Sequence, residues 1–313
     1  MPDDKKTISI VSGCYNEREN ISELISRVFA AAASYPDYDY EYIIIDNKST
    51  DGTDQLLRDF AKDEPRLKVI LNTRNFGHIR SPYYAMLQAK GDAVIYLVSD
   101  LQDPPELIKD FIAKWREGWK VVAAIKTGSR ESPLFFLVRR AYYNLVTRFS
   151  DLDLLKNFSG FGLYDREVME CCRKMEDPYP YHRGMISELG FPIAKIYFLQ
   201  PLRKRGFSKN NFYTLYDIAM LGFTNHSKIP LRLATMLGFL LSVVFALLGS
   251  LYLLLKIIFW KQFAFGLAPL IVGLFFIGSI QLFFIGILGE YIGAIQTRIM
   301  KRPLVVESER INF

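Results

Sequence analysis

Two stretches of this 313-residue chain contain no charged residue: Leu233 to Leu255, and Phe263 to Gly289. Each is longer than the roughly 20 residues that an α-helix, rising about 1.5 Å per residue, needs to cross the hydrocarbon of a bilayer. Core helices of a soluble domain rarely stay apolar on every side for so long. The runs predict two transmembrane helices, over residues 229–259 and 264–293, in an integral protein of the plasma membrane. Lys228 and Arg232 precede the pair and Arg298, Lys301 and Arg302 follow it, against Lys256 and Lys261 in the connection. That bias predicts both chain ends in the cytoplasm and the hairpin tip on the far side. The polar start from Met1 to Lys6, with no apolar signal segment after it, agrees.

Before Lys228 the charged residues are evenly spread, as in a soluble globular domain, here expected over residues 1–210. Phe212, Leu215, Tyr216, Ala219, Met220 and Phe223 recur at helical spacing, so residues 211–228 are expected to form an amphipathic interfacial helix. A helix packed on the soluble domain would show the same spacing. Residues 294–313 are expected to be a cytoplasmic tail. Three cysteines, Cys14, Cys171 and Cys172, lack metal-ligand spacing and fit a reducing compartment. The net charge of +6 suits an anionic membrane surface or phosphorylated substrates.

Within the soluble part, strands and helices alternate. Ile8–Ser12, Tyr42–Asp46, Lys68–Leu71, Ala93–Val98 and Val121–Ile125 are near-continuous apolar runs, the mark of strands buried on both faces. Helical patterns lie between them at about Glu19–Ala33, from Asp51 to about Ala61, at Ser81–Ala89, and from Pro104-Pro105 onward. This alternation predicts an α/β fold with a doubly wound parallel sheet, whose ligand sits beyond the carboxyl ends of the strands. The polar residues there are Tyr15-Asn16-Glu17, Asp46-Asn47-Lys48-Ser49 and Ser99-Asp100-Leu101-Gln102-Asp103. No Gly-x-Gly-x-x-Gly follows the first strand, which argues against a nicotinamide or flavin enzyme.

These strand ends, with Arg74-Asn75-Phe76-Gly77, Asp100-Leu101-Gln102-Asp103-Pro104-Pro105 and Gly289-Glu290-Tyr291-Ile292-Gly293, occur in one order along the chain. In that order they resemble family 2 glycosyltransferases, and most closely the polyprenyl-phosphate branch. That branch includes dolichol-phosphate mannose synthases and bactoprenol glucosyl transferases. The resemblance implies a GT-A-like nucleotide-sugar-binding domain followed by the membrane hairpin. It implies an enzyme that moves a sugar, with inversion, from a nucleotide-sugar (UDP-linked rather than GDP-linked) to polyprenyl phosphate. The expected partners are that donor, the lipid acceptor and the membrane, with no nucleic acid. A homo-oligomer is also expected, because Gly289 and Gly293 would let helices approach closely.

Residue by residue, the resemblance assigns Tyr15, Asn16, Glu17, Asp46, Asn47, Ser99 and Asp100 to the nucleotide-sugar. Asn47 stands where the family has an acidic residue. Asp100 and Gln102 match positions that hold Mg²⁺ or Mn²⁺ beside the diphosphate, although Val98 replaces the first carboxylate of the usual pair. Asp103 is expected to cap the helix that Pro104 opens. Ser159-Gly160-Phe161-Gly162-Leu163 stands where the family has Gly-Asp-Phe-Arg-Leu, so the acid near the reacting centre is a glycine. A phosphate monoester, with a second pKa near 6, is largely ionised at neutral pH and needs cations more than a base. The candidate phosphate ligands are Lys126, Arg130, Arg139, Arg140, Arg203 and Ser208. Asp100, Arg130, Arg203 and Asn157 are the expected catalytic group. Two alternatives stay open at this level. One is a polymer-forming synthase, to which Gln200-Pro201-Leu202-Arg203-Lys204 is a partial match. The other is a non-catalytic scaffold that binds sugar nucleotide or lipid.

Overall fold

In the computed structural model, which describes residues 5–127, 155, 157–201, 229–259, 267–300 and 302–313, the apolar runs become strands. These are β1 (Thr7–Cys14), β2 (Asp39–Asp46), β3 (Leu67–Asn72), β4 (Ala93–Tyr96) and β5 (Val121–Lys126). Between them run α1 (Arg18–Ala32), α2 (Thr53–Asp63), α3 (Gly77–Gln88) and α4 (Ile108–Arg116), the last led in by a 3₁₀ turn at Pro105–Leu107. Strand β1 pairs in parallel with both β2 and β4, and β2 with β3, so Cys14 lies beside Asp46 at the carboxyl edge.

The lack of alternation in β2 has a simple cause. Tyr42 and Ile44 enter a core shared with Leu24 of α1, Leu57 of α2 and Phe111 of α4. Ile43 and Ile45 enter a second core, shared with Tyr83 and Met86 of α3. Both faces of the sheet are covered, as an α/β layer structure requires.

The sheet is mixed, which corrects the expectation of a wholly parallel one. With β6 (Phe158–Asp165), β7 (Ile193–Phe198) and β8 (Glu307–Ile311), the described strands run in the order β7-β5-β6-β4-β1-β2-β3-β8. Strand β6 (Phe158–Asp165) runs antiparallel between β4 and β5, and β7 (Ile193–Phe198) pairs in parallel with β5. A segment reading Phe-Ser-Gly-Phe-Gly-Leu-Tyr-Asp carries little strand signal because glycine weakens strands. The pairing itself demands the second glycine: a β-carbon at Gly162 would lie 2.2 Å from the Val122 carbonyl oxygen. Beyond β6 come α5 (Arg166–Met175) and α6 (His182–Glu188). Asp165 caps α5 by accepting from the Glu167 amide at 3.0 Å, and Cys172 packs from α5 into the second core.

The tail is a strand. β8 (Glu307–Ile311) adds to the free edge of β3 in antiparallel register, Val69 opposite Ile311 and Leu71 opposite Glu309. Side chains fasten it. The Asn312 amide donates to the carbonyls of Ala61 (2.7 Å) and Leu67 (2.9 Å), Ser308 donates to Leu71, and Arg58 pairs with Glu309. Ahead of the strand, the Thr73 amide donates to the Val306 carbonyl, and Arg80 to that of Pro303.

Two long helices, α7 (Ile229–Ile258) and α8 (Leu267–Ile299), occupy the apolar runs. Among the described residues, one segment is long and apolar enough to cross a membrane: Phe276–Thr297 of α8, mean hydropathy 1.5, none of it buried. A soluble core helix would be buried; Leu274 and Leu282 are 69% and 71% exposed. The apolar stretch within α7 is the shorter Ala234–Phe245. The expected interfacial helix at 211–228 lies outside the described residues.

Deleting residues 302–313 should lower the unfolding midpoint of the sheet domain, at roughly 2–4 °C per kcal/mol for a domain of this size. Thermal scans of detergent-solubilised protein check this. An unchanged midpoint would mean that β8 adds nothing to the sheet.

Candidate active site

The carboxyl ends of β1 and β2 are bound to each other by side chains. Asn16, in a left-handed conformation (φ 55°), accepts from the Thr50 amide at 2.7 Å, and its own amide donates to the Ser49 hydroxyl at 2.8 Å. The Glu17 amide donates to Thr53 at 3.1 Å, and the Glu17 carboxylate accepts from Asn20 at 2.6 Å. Tyr15, half-buried, immediately precedes Asn16. Asp46 is 1% exposed; it accepts from the amide and hydroxyl of Ser49 and from the Cys14 thiol. Burial raises its pKa against the opposing pull of the Ser49 bonds, and burial beside Asp46 pushes the Cys14 thiol well up. Asp51 accepts from the Thr53 amide at 3.0 Å, closing the first turn of α2.

Asn47 explains its own departure from an acid. Its oxygen accepts from Asn72 and from the Phe76 amide, while its nitrogen donates to the Gly77 carbonyl at 3.0 Å. A carboxylate has no proton for that last bond. Asn47 therefore locks the Arg74–Gly77 turn onto the end of β2. Ser99 makes the matching tie on the other side, donating to the Gly13 carbonyl at 2.9 Å.

Beyond β4, β5 and the start of β6 opens a cavity of about 330 Å³. Val98, Asp100, Gln102 and Asp103 line it from the loop after β4, Lys126 from the end of β5, and Ser159 and Gly160 from β6. His78, Tyr181, His182, Arg183 and Gln200 complete its wall. Asp100 accepts from the Gln102 amide at 3.1 Å, a tight turn that sets both side chains on one lip, with Leu101 left-handed (φ 61°) between them. Among the described residues no group of three or more His, Cys, Asp or Glu could hold a metal. Asp100 and Gln102 offer two oxygen donors on that lip, a donor set compatible with Mg²⁺, which takes few protein ligands and keeps several waters.

Asp103 does not cap the following helix. The 3₁₀ turn has no side-chain cap, and the Asp103 carboxylate accepts instead from the Val98 amide, closing the loop. Its pKa is raised to about 6, by burial first, with Lys126 pulling the other way. Asn157 is exposed and left-handed (φ 59°), and its backbone carbonyl accepts from the Lys126 amide; it is not among the cavity's lining residues. Arg130, Arg139, Arg140, Arg203 and Ser208 lie outside the described residues.

Reasoning from sequence missed Arg183, His78, His182 and Ser159. Of the chain's three histidines, two line this one cavity, a convergence that appears only after folding. Both imidazoles are held neutral by burial, reinforced by the Arg183 charge; His78 is lowered, and His182 falls to about 3.

The sequence profile of Glycosyl transferase family 2 matches residues 9–173. The uncharacterized glycosyltransferase YkcC of Bacillus subtilis is 33% identical over 300 residues, 95% of this chain and 92% of that one. The SfII prophage-derived bactoprenol glucosyl transferase of Shigella flexneri is 31% identical over 308 residues, 97% of this chain and 99% of that one. The prophage bactoprenol glucosyl transferase homolog of Escherichia coli is 31% identical over 297 residues, 95% and 96% of the two chains.

The neutral state of His182 has a measurable sign. Unfolded, its imidazole takes up a proton as pH falls through its usual 6.5; folded, it does so only near 3. The unfolded chain binds more protons in between, so this residue's contribution to stability is lost as pH falls across that window. His182→Gln should flatten the acid dependence of the unfolding midpoint between pH 7 and 5. Equal slopes in the two proteins would contradict it.

Proposed function

The chain belongs to glycosyl transferase family 2, and we propose that it transfers a sugar from a nucleotide-sugar to polyprenyl phosphate at the cytoplasmic face of a membrane. The observation that carries this reading is near full-length similarity to bactoprenol glucosyl transferases, helices included. The cavity supports it, with acidic and amide oxygens on one lip and the cations Lys126 and Arg183 on the wall.

Tyr15, Asn16, Glu17, Asp46, Asn47 and Ser99 shape the nucleotide end, and Asp100 with Gln102 faces the diphosphate. A Mg²⁺ or Mn²⁺ ion bound by those two residues would stabilise the charge of the leaving diphosphate. Lys126 and Arg183 hold the acceptor phosphate, joined by Arg130, Arg139, Arg140, Arg203 and Ser208. One phosphate oxygen forms a bond to the anomeric carbon as the bond from that carbon to the diphosphate breaks, which inverts the centre. The nucleophile is already an anion at neutral pH, so Gly160 in place of an acid does not stop the reaction. Positioning and charge stabilisation supply the rate.

The pairing of β8 with β3 supports two spans. β7 ends at Phe198 and β8 begins at Glu307 in the same sheet, so between them the chain crosses any bilayer an even number of times. If α8 spans, a second crossing is required, and α7 supplies it. The catalytic domain and both ends then share the cytoplasmic side, where lipid phosphates lie.

The test is incubation of the purified protein with polyprenyl phosphate and labelled UDP-glucose, UDP-galactose, UDP-N-acetylglucosamine and GDP-mannose. A monomeric glycolipid from one of the UDP-linked donors is expected; polymer, or no product with any donor, would refute the reading. Asp100→Ala should lower kcat by roughly 10²-fold or more without unfolding the protein. Wild-type turnover in that variant would remove Asp100 from the chemistry. For topology, a single cysteine introduced at Gln262 should react with an impermeant maleimide from outside intact cells, and one at Asn312 should not.

A further inference from the structure

Two side chains in the cavity wall are buried without a bonding partner. His182 starts α6 with its ring edge-on to Tyr164 (centroids 4.8 Å apart) and 5.9 Å from Tyr83. Among the described residues, neither of its nitrogens has a hydrogen-bond partner, nor does the Ser159 hydroxyl on the neighbouring strand. Native structures seldom leave such buried groups unsatisfied. Both line the same cavity as Asp100 and Gln102.

The backbone presents them there. Gly160, at φ +96°, turns the start of β6, and its carbonyl accepts from the Tyr164 hydroxyl at 2.5 Å. A β-carbon at Gly160 would sit 3.7 Å from Cδ2 of His182 and from the Tyr96 ring. With no side chain there, nothing from residue 160 lies between the His182 and Tyr96 rings on the cavity wall.

We propose that His182 and Ser159 hydrogen-bond hydroxyl groups of the sugar being transferred, and that His182 helps set which sugar the enzyme accepts. A neutral imidazole offers one donor and one acceptor, and a serine hydroxyl both donates and accepts. Sugar hydroxyls do the same, so the two sets match. The acceptor phosphate is a poorer match, because a dianion only accepts, and Lys126 and Arg183 in the same wall suit it better. The low pKa of His182 agrees, since it keeps the ring uncharged at working pH. Sites built from buried polar groups discriminate strongly against a sugar lacking the matching hydroxyl.

The proposal rests on reading the cavity as the donor site, but it is tested by binding alone. Calorimetric affinities are measured for whichever nucleotide-sugar of the panel above binds the wild type most tightly, and for its nucleoside diphosphate. His182→Leu should weaken the nucleotide-sugar at least tenfold and the nucleoside diphosphate less than twofold. His182→Gln, which keeps a donor and an acceptor, should retain part of that affinity. Ser159→Ala, a milder change, should show the same selectivity at several-fold. Equal loss of both ligands in the leucine and alanine variants, or loss of neither, overturns the proposal; so does a wild type that binds no member of the panel. If the selective loss is seen yet no glycolipid forms, the sugar site stands and the acceptor assignment falls.

Discussion

Strand β8 closes the fold on itself. Its ladder to β3, fastened by Asn312, Ser308 and the Arg58–Glu309 pair, ties the last residues of the chain to the sheet that holds the site. Whatever lies between Gln200 and Glu307 must therefore begin and end on one side of a bilayer. On the reading proposed above, that constraint would make α7 and α8 a hairpin that starts and finishes at the same surface. It also sets the end of α8 close to the domain: α8 ends at Ile299, and by Pro303 the chain is already bonded to Arg80 of α3. Three residues later Val306 meets Thr73, beside the turn that Asn47 secures.

The site divides into two parts with different physical character. At the ends of β1 and β2 nearly every described polar group is satisfied internally, through Asn16–Thr50, Asp46–Ser49 and Asn47–Gly77. That half is a preformed rim of rigid turns. Around the cavity beyond β4 and β6 the situation reverses. Buried oxygens and nitrogens of Asp103, Ser159 and His182 lack partners among the described residues. On the reading proposed above, the rim would receive the nucleotide and the unmet polar groups the reacting sugar.

Much of the α/β layout was legible because burial on both faces forces strands to be apolar at every position. The β2 run Tyr-Ile-Ile-Ile is the clearest case. Strand β6 was illegible for the opposite reason: its glycines are required by close pairing with Val122 and by the turn at Gly160, contacts that exist only after folding. Strand β8 was hidden because its charged residues Glu307, Glu309 and Arg310 make ion pairs at an edge, so it looked like a polar tail. At the site, motif matching found Asp100 and Gln102 but passed over His182 and Arg183. No spacing rule links residues 182 and 183 to residue 100; the antiparallel return of β6 does. The parallel-sheet expectation failed at that same strand.

The central claim is that the acceptor phosphate is its own nucleophile, held by cations where an acid is missing. The most direct measurement is the pH dependence of kcat/KM for two acceptors, polyprenyl phosphate and a polyprenyl phosphonate whose second ionisation lies higher. If the claim holds, the acid limb follows the acceptor: near pH 6 for the phosphate and displaced upward for the phosphonate. An acid limb at the same pH for both acceptors would report a protein base and contradict it.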